Sequence, residues 1–289
     1  MQGQRNGLAR MTSLRIRAAT LLAMIAFAAN SLLCRLALRD TQIDPASFTA
    51  IRLAAGAFAL WLLLRPWRRP AIGGSWRAAF ALFGYAAAFS YAYRCLSAGT
   101  GALLLFGAVQ LTMFAGAWRG GERISRWQAG GIAIAFGGLL ALLLPGIHAP
   151  PISGALLMAL AGVAWGWYSL LGRGVTDPLS ATAGNFLRCL PIVVVLSVAT
   201  AASANYDPLG VICAIASGAL ASGGGYAIWY TALRGLTANQ AASVQLSVPV
   251  IAAIGGIALL DESPSWRLAF AGVAVLGGIA LALKRSPRL

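Results

Sequence analysis

The chain has 289 residues, of which 59% are hydrophobic and 10% are charged, and it carries a formal net charge of +15. A soluble domain has about a quarter of its residues charged, so this composition excludes an ordinary soluble protein and indicates that lipid covers much of the surface. The basic balance would suggest nucleic acid in a soluble protein. Here the positive charges lie in short segments between apolar stretches, and no nucleic-acid partner is expected.

Apolar stretches recur along the chain at the length that a helix needs to cross a bilayer, about 20 residues. The ten predicted spans are 17–36, 47–64, 75–96, 98–117, 126–144, 153–172, 182–200, 209–232, 238–259 and 265–283. Helices are favoured because lipid offers open backbone groups no hydrogen-bond partner, and a β-barrel would show short alternating segments instead. The sequence therefore predicts an all-α integral membrane protein with ten transmembrane helices.

The basic residues predict how these spans are oriented. With the N-terminus in the cytoplasm, sixteen Lys and Arg residues lie on the cytoplasmic side and four lie on the outer side. The sixteen are Arg5, Arg10, Arg15, Arg17, Arg65, Arg68, Arg69, Arg77, Arg119, Arg123, Arg126, Arg173, Arg234, Lys284, Arg285 and Arg288. The four are Arg35, Arg39, Arg94 and Arg267. This positive-inside bias predicts a multi-pass protein with both termini in the cytoplasm.

Matched residues indicate that the chain contains two similar halves. The matches are 31–35 with 169–173, Arg52 with Arg188, Gln110 with Gln245, and Glu122 with Glu262. Their offsets lie between 135 and 140 residues, and their order is the same in both halves. We predict a first repeat at 1–147 and a second at 148–289. Because each holds five spans, an odd number, the repeats have inverted topology, which is typical of transporters. The alternative is a gene duplication in a membrane protein of another kind.

Several short motifs resemble those of a known family. They are Arg52 and Arg188 in the second and seventh spans, the turns Gly120-Gly121-Glu122 and Leu260-Asp261-Glu262, the pairs Gly130-Gly131 and Gly277-Gly278, and Ser247-Val248-Pro249 in the ninth span. The chain is similar to drug/metabolite transporter superfamily proteins of the ten-helix EamA type, and most similar to bacterial YddG-type amino-acid exporters. The fourth span departs from the family pattern, because Leu111-Thr112-Met113 has no proline. The resemblance implies export from the cytoplasm across the bacterial inner membrane, through a central cavity formed mainly by spans 1, 3, 4, 6, 8 and 9.

Side chains inside the first and sixth spans are candidates for binding a substrate. Phe27 and Asn30 in the first span, and Trp165 and Tyr168 in the sixth, are each spaced i, i+3, so each pair shares a helix face. Asn30 and Tyr168 offer hydrogen bonds to polar groups of a substrate. The alternative is hydrogen bonding between helices, which is common in membranes.

Aromatic residues in the third and eighth spans are further candidates for the cavity wall. The predicted lining residues there are Tyr85, Phe89, Tyr226 and Trp229. For Tyr93 and Tyr230, which lie nearer the ends of these spans, the alternative is to anchor the protein at the membrane interface.

Glycine, proline and glutamine residues mark places where the helices could bend or bind. Gly223 and Gly224 belong to a run of three glycines, which predicts close packing or a hinge. Pro249 removes a backbone hydrogen bond, so it is predicted to bend the ninth span and to free the carbonyl of Gln245. The predicted substrate-binding residues of the fourth and ninth spans are Gln110, Gln245 and Ser247. For the two glutamines, a fixed contact between helices is an equally open alternative.

Arg52 and Arg188 are the charged residues predicted to lie well inside spans, Arg52 toward the outer side and Arg188 toward the inner side. Such charges need a partner or water. They could gate the pathway, bind a carboxylate, or tie down loops such as those that carry Asp44 and Asp177. Their positions near helix ends favour the tie.

The acidic residues are informative because all seven lie in loops or at helix ends, and the one histidine, His148, lies in a predicted outer loop. A proton-coupled carrier would be expected to hold such a group at mid-membrane. We therefore predict facilitative export of amino acids or related small metabolites by alternating access. A multidrug or other-metabolite efflux carrier is the first alternative, and an intramembrane enzyme is disfavoured because the chain has no catalytic motif.

No cofactor and no metal site are expected, since the four cysteines have no CxxC spacing. The expected partners are a small-molecule substrate and membrane lipid. Monomer and dimer are equally compatible with the small residues on the helix faces.

Overall fold

The structure, a computed structural model, describes residues 2–64, 73–121, 125–145, 149–236 and 238–284. Within these ranges the chain is almost entirely helical and has no β-strand, which confirms the predicted all-α class. Some residues on which predictions rest lie outside the described ranges, namely Arg65, Arg68, Arg69, Glu122, Arg123, His148, Arg285 and Arg288.

The helices follow the predicted apolar stretches. The first five are α1 (Gln2–Asp40), α2 (Pro45–Leu64), α3 (Trp76–Tyr93), α4 (Ala98–Arg119) and α5 (Arg126–Leu143). The next are α6 (Ile152–Leu171), α7 (Pro178–Ala199), α8 (Pro208–Ala216), a π-helical segment (Ser217–Gly224) and α9 (Gly225–Leu233). The last are α10 (Ala238–Gln245), α11 (Ser247–Leu259) and α12 (Trp266–Lys284), and a short 3-10 turn (Ala201–Ser203) follows α7. The segments from α8 to α9 follow one another without a gap.

Three predicted spans differ from the helices observed. The span at 209–232 contains the π-helical segment between α8 and α9. The span at 17–36 is part of a much longer helix, since α1 begins at Gln2. The span at 238–259 is divided at Leu246 into α10 and α11. The division lies three residues before Pro249, whose ring nitrogen cannot donate to the carbonyl of Gln245. The backbone therefore interrupts its helical hydrogen bonding where the proline requires it.

Among the described helices, nine stretches are long and apolar enough to cross a bilayer. The helix at the third predicted span, α3, is not one of them, because tyrosine, serine, glycine and Arg77 lower its mean hydropathy. Ten transmembrane helices therefore stay a prediction. The multi-pass membrane class does not depend on α3.

Polar residues at the helix starts explain why these helices begin where they do. Ser75, Ser97 and Ser125 accept hydrogen bonds from the first turns of α3, α4 and α5. Asp177 and Asp207 do the same for α7 and α8. Each cap satisfies a backbone N–H that the helix itself leaves unpaired.

The helices pack in a pattern that leaves a space at the centre. The helices α3 and α4 pack against α6, and α1 packs against α8, α9 and α11. The helix α2 packs against α7 and the π-helical segment, while α5 and α12 pack mainly on each other. The core side chains face the middle of this arrangement, and many large apolar side chains face outward, as expected for a lipid-covered surface.

Glycine sets the distance between α2 and the π-helical segment. A Cβ atom on Gly218 would collide with the backbone carbonyl of Arg52, and one on Gly56 would lie 3.2 Å from the carbonyl oxygen of Gly218. Only glycine allows the two backbones to approach so closely. This approach encloses the side chain of Arg52 in the protein interior.

Candidate functional site

A cavity of about 560 Å³ occupies the centre of the bundle. Side chains from α1, α3, α4, α6, α7, α9 and α10 line it, together with Ala221 and Ser222 of the π-helical segment. It extends to Arg173 and Val175 in the connection between α6 and α7, and to Gly74 and Ser75 just before α3. These connections lie at one end of the bundle, so the cavity reaches that end.

Aromatic rings form one wall of the cavity around Trp165. The Trp165 ring stacks on Tyr226 at 5.5 Å and on Tyr168 at 5.2 Å between ring centroids. It also lies 4.8 Å from the ring of Tyr85. Phe27 extends the wall, with its ring edge-on to Trp229 at 6.0 Å. Such a wall can hold an apolar or aromatic group through ring contacts.

A hydrogen-bond network joins this wall to α1, α2 and the π-helical segment. The hydroxyl of Tyr85 accepts a bond from Asn30 Nδ2 at 3.2 Å and another from Arg52 Nη2 at 2.9 Å. The hydroxyl of Ser217 donates to Asn30 Oδ1 at 2.6 Å. Asn30 and Tyr85 line the cavity, while Arg52 lies behind them. Two lining side chains are therefore held in fixed orientations by polar partners.

Arg52 is enclosed by aromatic rings, with only 2% of its surface exposed. Its guanidinium carbon lies 5.2 Å from the centroid of Tyr85 and 4.9 Å from that of Phe89, so both rings face the cation. Its Nη1 atom has no hydrogen-bond partner among the described residues. The expected tie to the loop that carries Asp44 is wrong, because Asp44 accepts instead from the backbone of α2 and of Asn205.

Arg188 lies nearer the end at which the cavity opens. Its Nη1 atom donates to the carbonyl of Gly73 at 2.6 Å and to that of Gly184 at 3.0 Å. It therefore ties the chain before α3 to α7. Asp177, the loop acid considered for this tie, caps the start of α7.

A second polar group near the mouth contains residues that the sequence analysis overlooked. Asn185 Nδ2 donates to the hydroxyl of Tyr168 at 3.3 Å, and its Oδ1 accepts from the backbone N–H of Ser75 at 2.9 Å. Tyr168 donates to Thr182 at 3.3 Å, and Thr182 lies 2.8 Å from the hydroxyl of Tyr230. The spacing of Thr182 and Asn185, i and i+3 within an apolar span, was a usable signal for this group.

The side chains of Tyr93 and Tyr230 face the protein interior rather than the lipid-facing surface. Tyr230 lines the cavity, and Tyr93 is fully buried with its hydroxyl donating to the carbonyl of Ala98 at 3.3 Å. Interfacial anchoring is thus wrong for both. The helix α3 is covered by other helices at this level, so position along the span did not indicate exposure to the headgroups.

The structure brings most of the predicted substrate-binding residues to the cavity. The lining contains Phe27, Asn30, Tyr85, Phe89, Trp165, Tyr168, Tyr226, Trp229 and Gln245. Gln110 and Ser247 lie outside the lining. Gln110 is buried on α4, and the hydroxyl of Ser247 donates to the carbonyl of Val244 at 2.7 Å.

The residues predicted to bend helices have different surroundings. Gly223 and Gly224 belong to the π-helical segment, a helix form that is frequent at functional sites. A Cβ atom on Gly223 would lie 3.2 Å from that of Ala59, whereas one on Gly224 would meet nothing closer than 3.6 Å. Pro249 is buried in α11. Close packing therefore applies to Gly223, and to Gly225 of the same run, whose Cβ would lie 3.2 Å from that of Ala26, but not to Gly224.

At the opposite end of the bundle lies an ion pair that the sequence did not indicate. Arg35 Nε lies 3.1 Å from Glu262 Oε1, and both Glu262 oxygens accept from the backbone N–H of Ala98 at 3.0 Å. Arg35 also donates to the carbonyl of Tyr93 at 2.9 Å. These contacts join α1, the end of α3, the start of α4 and the segment after α11. We call them the outer latch.

The chain is similar to known proteins along nearly its whole length. The model of the EamA-like transporter family matches residues 16–144 and again residues 152–284. An uncharacterized protein of Pseudomonas aeruginosa is 60% identical over 272 residues, which cover 93% of this chain and 94% of that protein. An uncharacterized transporter of Archaeoglobus fulgidus is 23% identical over 275 residues, or 90% of this chain and 94% of that protein. One solved crystal structure, 20% identical with a TM-score of 0.66, covers 94% of this chain and 99% of its own, which shows a shared fold.

Proposed function

The chain belongs to the EamA-like transporter family, and on that premise we propose that it exports amino acids or related small metabolites across the bacterial inner membrane. The observation that carries this proposal is the central cavity, with its aromatic wall and hydrogen-bonding groups, which reaches one end of the bundle while the outer latch closes the other. A membrane carrier of small solutes needs both features.

Ten transmembrane helices in two inverted repeats belong to the same proposal. The two stretches matched by the family lie on either side of residues 145–151, which supports repeats at 1–147 and 148–289. The packing supports it as well, because α3 contacts α6 much as α8 and α9 contact α1. The helix α3 packs against α2, α6 and α7, and its polar residues Tyr85, Ser90 and Tyr93 are buried in protein rather than exposed to lipid.

The orientation follows from the basic residues. With both termini in the cytoplasm, the connections between α2 and α3 and between α6 and α7 are cytoplasmic, so the cavity faces the cytoplasm. The outer latch then lies on the far side. A substrate would enter from the cytoplasm, and the rocking of one repeat against the other would release the latch and expose the cavity outward.

The character of the cavity supports facilitative transport. Among the described lining residues none is Asp or Glu, so no carboxylate there could carry a proton. The same feature argues against lipophilic cations, which would need a negative partner. We assign substrate binding to the aromatic wall and to Asn30, Tyr168 and Gln245. Gln110 and Ser247 lie outside the lining, so they would contact a substrate only if α4 or α11 moved.

The segments that would move in this cycle are the π-helical segment at Gly223 and Gly224 and the break before Pro249. Arg188 would hold the inner mouth through the carbonyl of Gly73. Arg52 would couple α2 to the movement of α3 through its bond to Tyr85.

The function is tested by reconstituting the purified protein in liposomes and measuring the counterflow of radiolabelled amino acids, with and without a pH gradient. We expect exchange without a gradient. If no amino acid exchanges, the substrate assignment is wrong, and efflux of a lipophilic cation would instead support the multidrug alternative.

The aromatic wall gives a variant test of the same assay. We expect Trp165→Ala to lower exchange about tenfold, since one aromatic contact between the indole and the substrate is worth about 1 kcal/mol or slightly more. Trp167→Ala, on the same helix but 50% exposed on the outside, is the matched control and should exchange normally. Equal exchange rates in the two variants would show that the aromatic wall does not bind the substrate.

A further inference from the structure

The deep end of the cavity contains hydrogen-bond donors without acceptors. The Tyr85 oxygen already accepts two bonds, from Asn30 and from Arg52, so its own hydrogen is left to donate. The described residues offer no acceptor for that hydrogen. Arg52 Nη1, immediately behind, has no partner either. Two donors thus lie side by side, one on the cavity surface and one directly behind it.

The charge at this end of the cavity is also unbalanced. The described ion pairs join Arg35 to Glu262 and Arg39 to Asp40, and neither includes Arg52. A buried cation without a counter-ion is costly, and the faces of Tyr85 and Phe89 compensate only part of that cost. At the mouth, the charged lining residue is another cation, Arg173. Two cations and, among the described lining residues, no carboxylate therefore surround the cavity.

We propose that the deep end of the cavity is a subsite for the carboxylate of the substrate, in which the Tyr85 hydroxyl donates to a carboxylate oxygen. Arg52 and Asn30 act as positioning residues, because their bonds to the Tyr85 oxygen orient its hydrogen toward the cavity. Arg52 also supplies the positive charge that favours an anion. The inference rests on the proposed function, because it takes this cavity to be the substrate site.

The subsite narrows the substrate class. The carboxylate would lie against Tyr85, and the remainder of the molecule would lie against the rings of Trp165 and Tyr226, which are next to it. The described residues of the lining include no acid that could pair with an ammonium group. The structure thus favours carboxylates with an apolar or aromatic body, whether or not they carry an amine.

The probes are 3-phenylpropionate and its isosteric amide, 3-phenylpropionamide, which differ in charge but not in shape. Binding of each to the detergent-purified protein is measured by thermal stabilisation, which does not require transport. We expect the carboxylate to bind about tenfold more tightly than the amide, as for hydrogen bonds to a charged group. Equal binding of the two probes, or stabilisation by neither, would overturn the proposal. So would equal stabilisation by chloride, which would mark a halide site.

Variants separate recognition from folding. Tyr85→Phe keeps the ring and its contacts but removes the hydroxyl, and should abolish the preference for the carboxylate. Arg52→Gln should reduce the preference and Arg52→Lys should restore part of it. The matched control is Tyr91→Phe, on the same helix but at the outside surface. A preference that survives Tyr85→Phe unchanged contradicts the proposal even if Arg52 variants fail to fold.

The transport function and the carboxylate subsite can be contradicted independently of each other. If 3-phenylpropionate binds with the expected preference but no solute undergoes counterflow, the subsite stands and the transport function is wrong. If amino acids exchange but carboxylates and amides compete equally for that exchange, the transport function stands and the subsite is wrong.

Discussion

At the scale of single residues, the cavity depends on polar side chains that hold one another in place. Asn30 connects Ser217 to Tyr85, and Tyr85 connects Asn30 to Arg52. A change at one member therefore alters the others. Asn30→Asp makes this dependence testable, because it puts a carboxylate of nearly unchanged shape one hydrogen bond away from Tyr85.

We expect Asn30→Asp to raise the melting temperature and to weaken the binding of 3-phenylpropionate several-fold. The new carboxylate would partly neutralise Arg52, which relieves the buried charge, and it would compete with the substrate for the Tyr85 hydrogen. Gln42→Glu, the same change of amide to carboxylate at an exposed residue, is the control and should change neither quantity. A lower melting temperature with unchanged binding would show that Arg52 does not influence the site.

The cavity residues also show which parts of the site could be predicted from the sequence and which could not. The spacing of Phe27 with Asn30 and of Trp165 with Tyr168 was sufficient to predict their shared faces, and the structure brings all four to the cavity. The partners of Arg52 could not be predicted in the same way. They depend on which face of α3 turns toward α2, and an apolar span contains no periodic signal for that choice.

At the scale of helices, apolar length and capping residues predict the elements, but close contacts decide how they pack. The helices α5 and α12 meet at Gly131 and Gly278, where a Cβ atom on either residue would collide with the backbone carbonyl of the other. The neighbouring Gly130 and Gly277 have nothing within 4 Å of a Cβ atom. The sequence shows two equivalent glycines in each pair, and only the packing distinguishes them.

This difference predicts opposite effects of alanine on neighbouring residues. Gly131→Ala and Gly278→Ala should lower the melting temperature, since the two backbones must separate. Gly130→Ala and Gly277→Ala should leave it equal or slightly higher, because alanine favours a helix by about 1 kcal/mol over glycine. If all four variants behave alike in thermal unfolding, α5 and α12 do not pack as described.

The two interruptions of regular α-helix also have different causes, one local in the sequence and one distant. The break at Leu246 has a local cause in Pro249, so the sequence predicted a bend near it. The π-helical segment depends on the contact of Gly218 with the backbone of α2, some 160 residues earlier in the chain, and its form could not be predicted from the glycine run alone.

At the scale of the whole molecule, the proposed transport cycle assigns the cavity and the outer latch to one of its states. The latch joins residues as distant in sequence as Arg35 and Glu262, which is why the repeat analysis placed Glu262 only in a turn. Both side chains are mostly buried, so a hydrogen bond between them is worth more than at an exposed surface. Weakening the latch should favour the state in which the cavity opens outward.

Glu262→Gln removes the charge with little change of shape, and it should shift the equilibrium toward the outward-open state about tenfold. Asp261→Asn, at the exposed neighbouring residue, removes a charge of the same sign outside the latch and serves as the control. It should leave the equilibrium unchanged.

The most direct test of alternating access is the accessibility of a cysteine in the cavity from each side of the membrane. Phe27→Cys, at a partly exposed lining residue, with the exposed Cys95 replaced by alanine, is labelled by a membrane-impermeant maleimide in right-side-out and in inside-out vesicles. We predict labelling from the cytoplasmic side in the parent background, and increased labelling from the outer side when Glu262→Gln is added but not with Asp261→Asn. Labelling from the outer side alone, or the same labelling with and without Glu262→Gln, would contradict a carrier that opens to one side at a time.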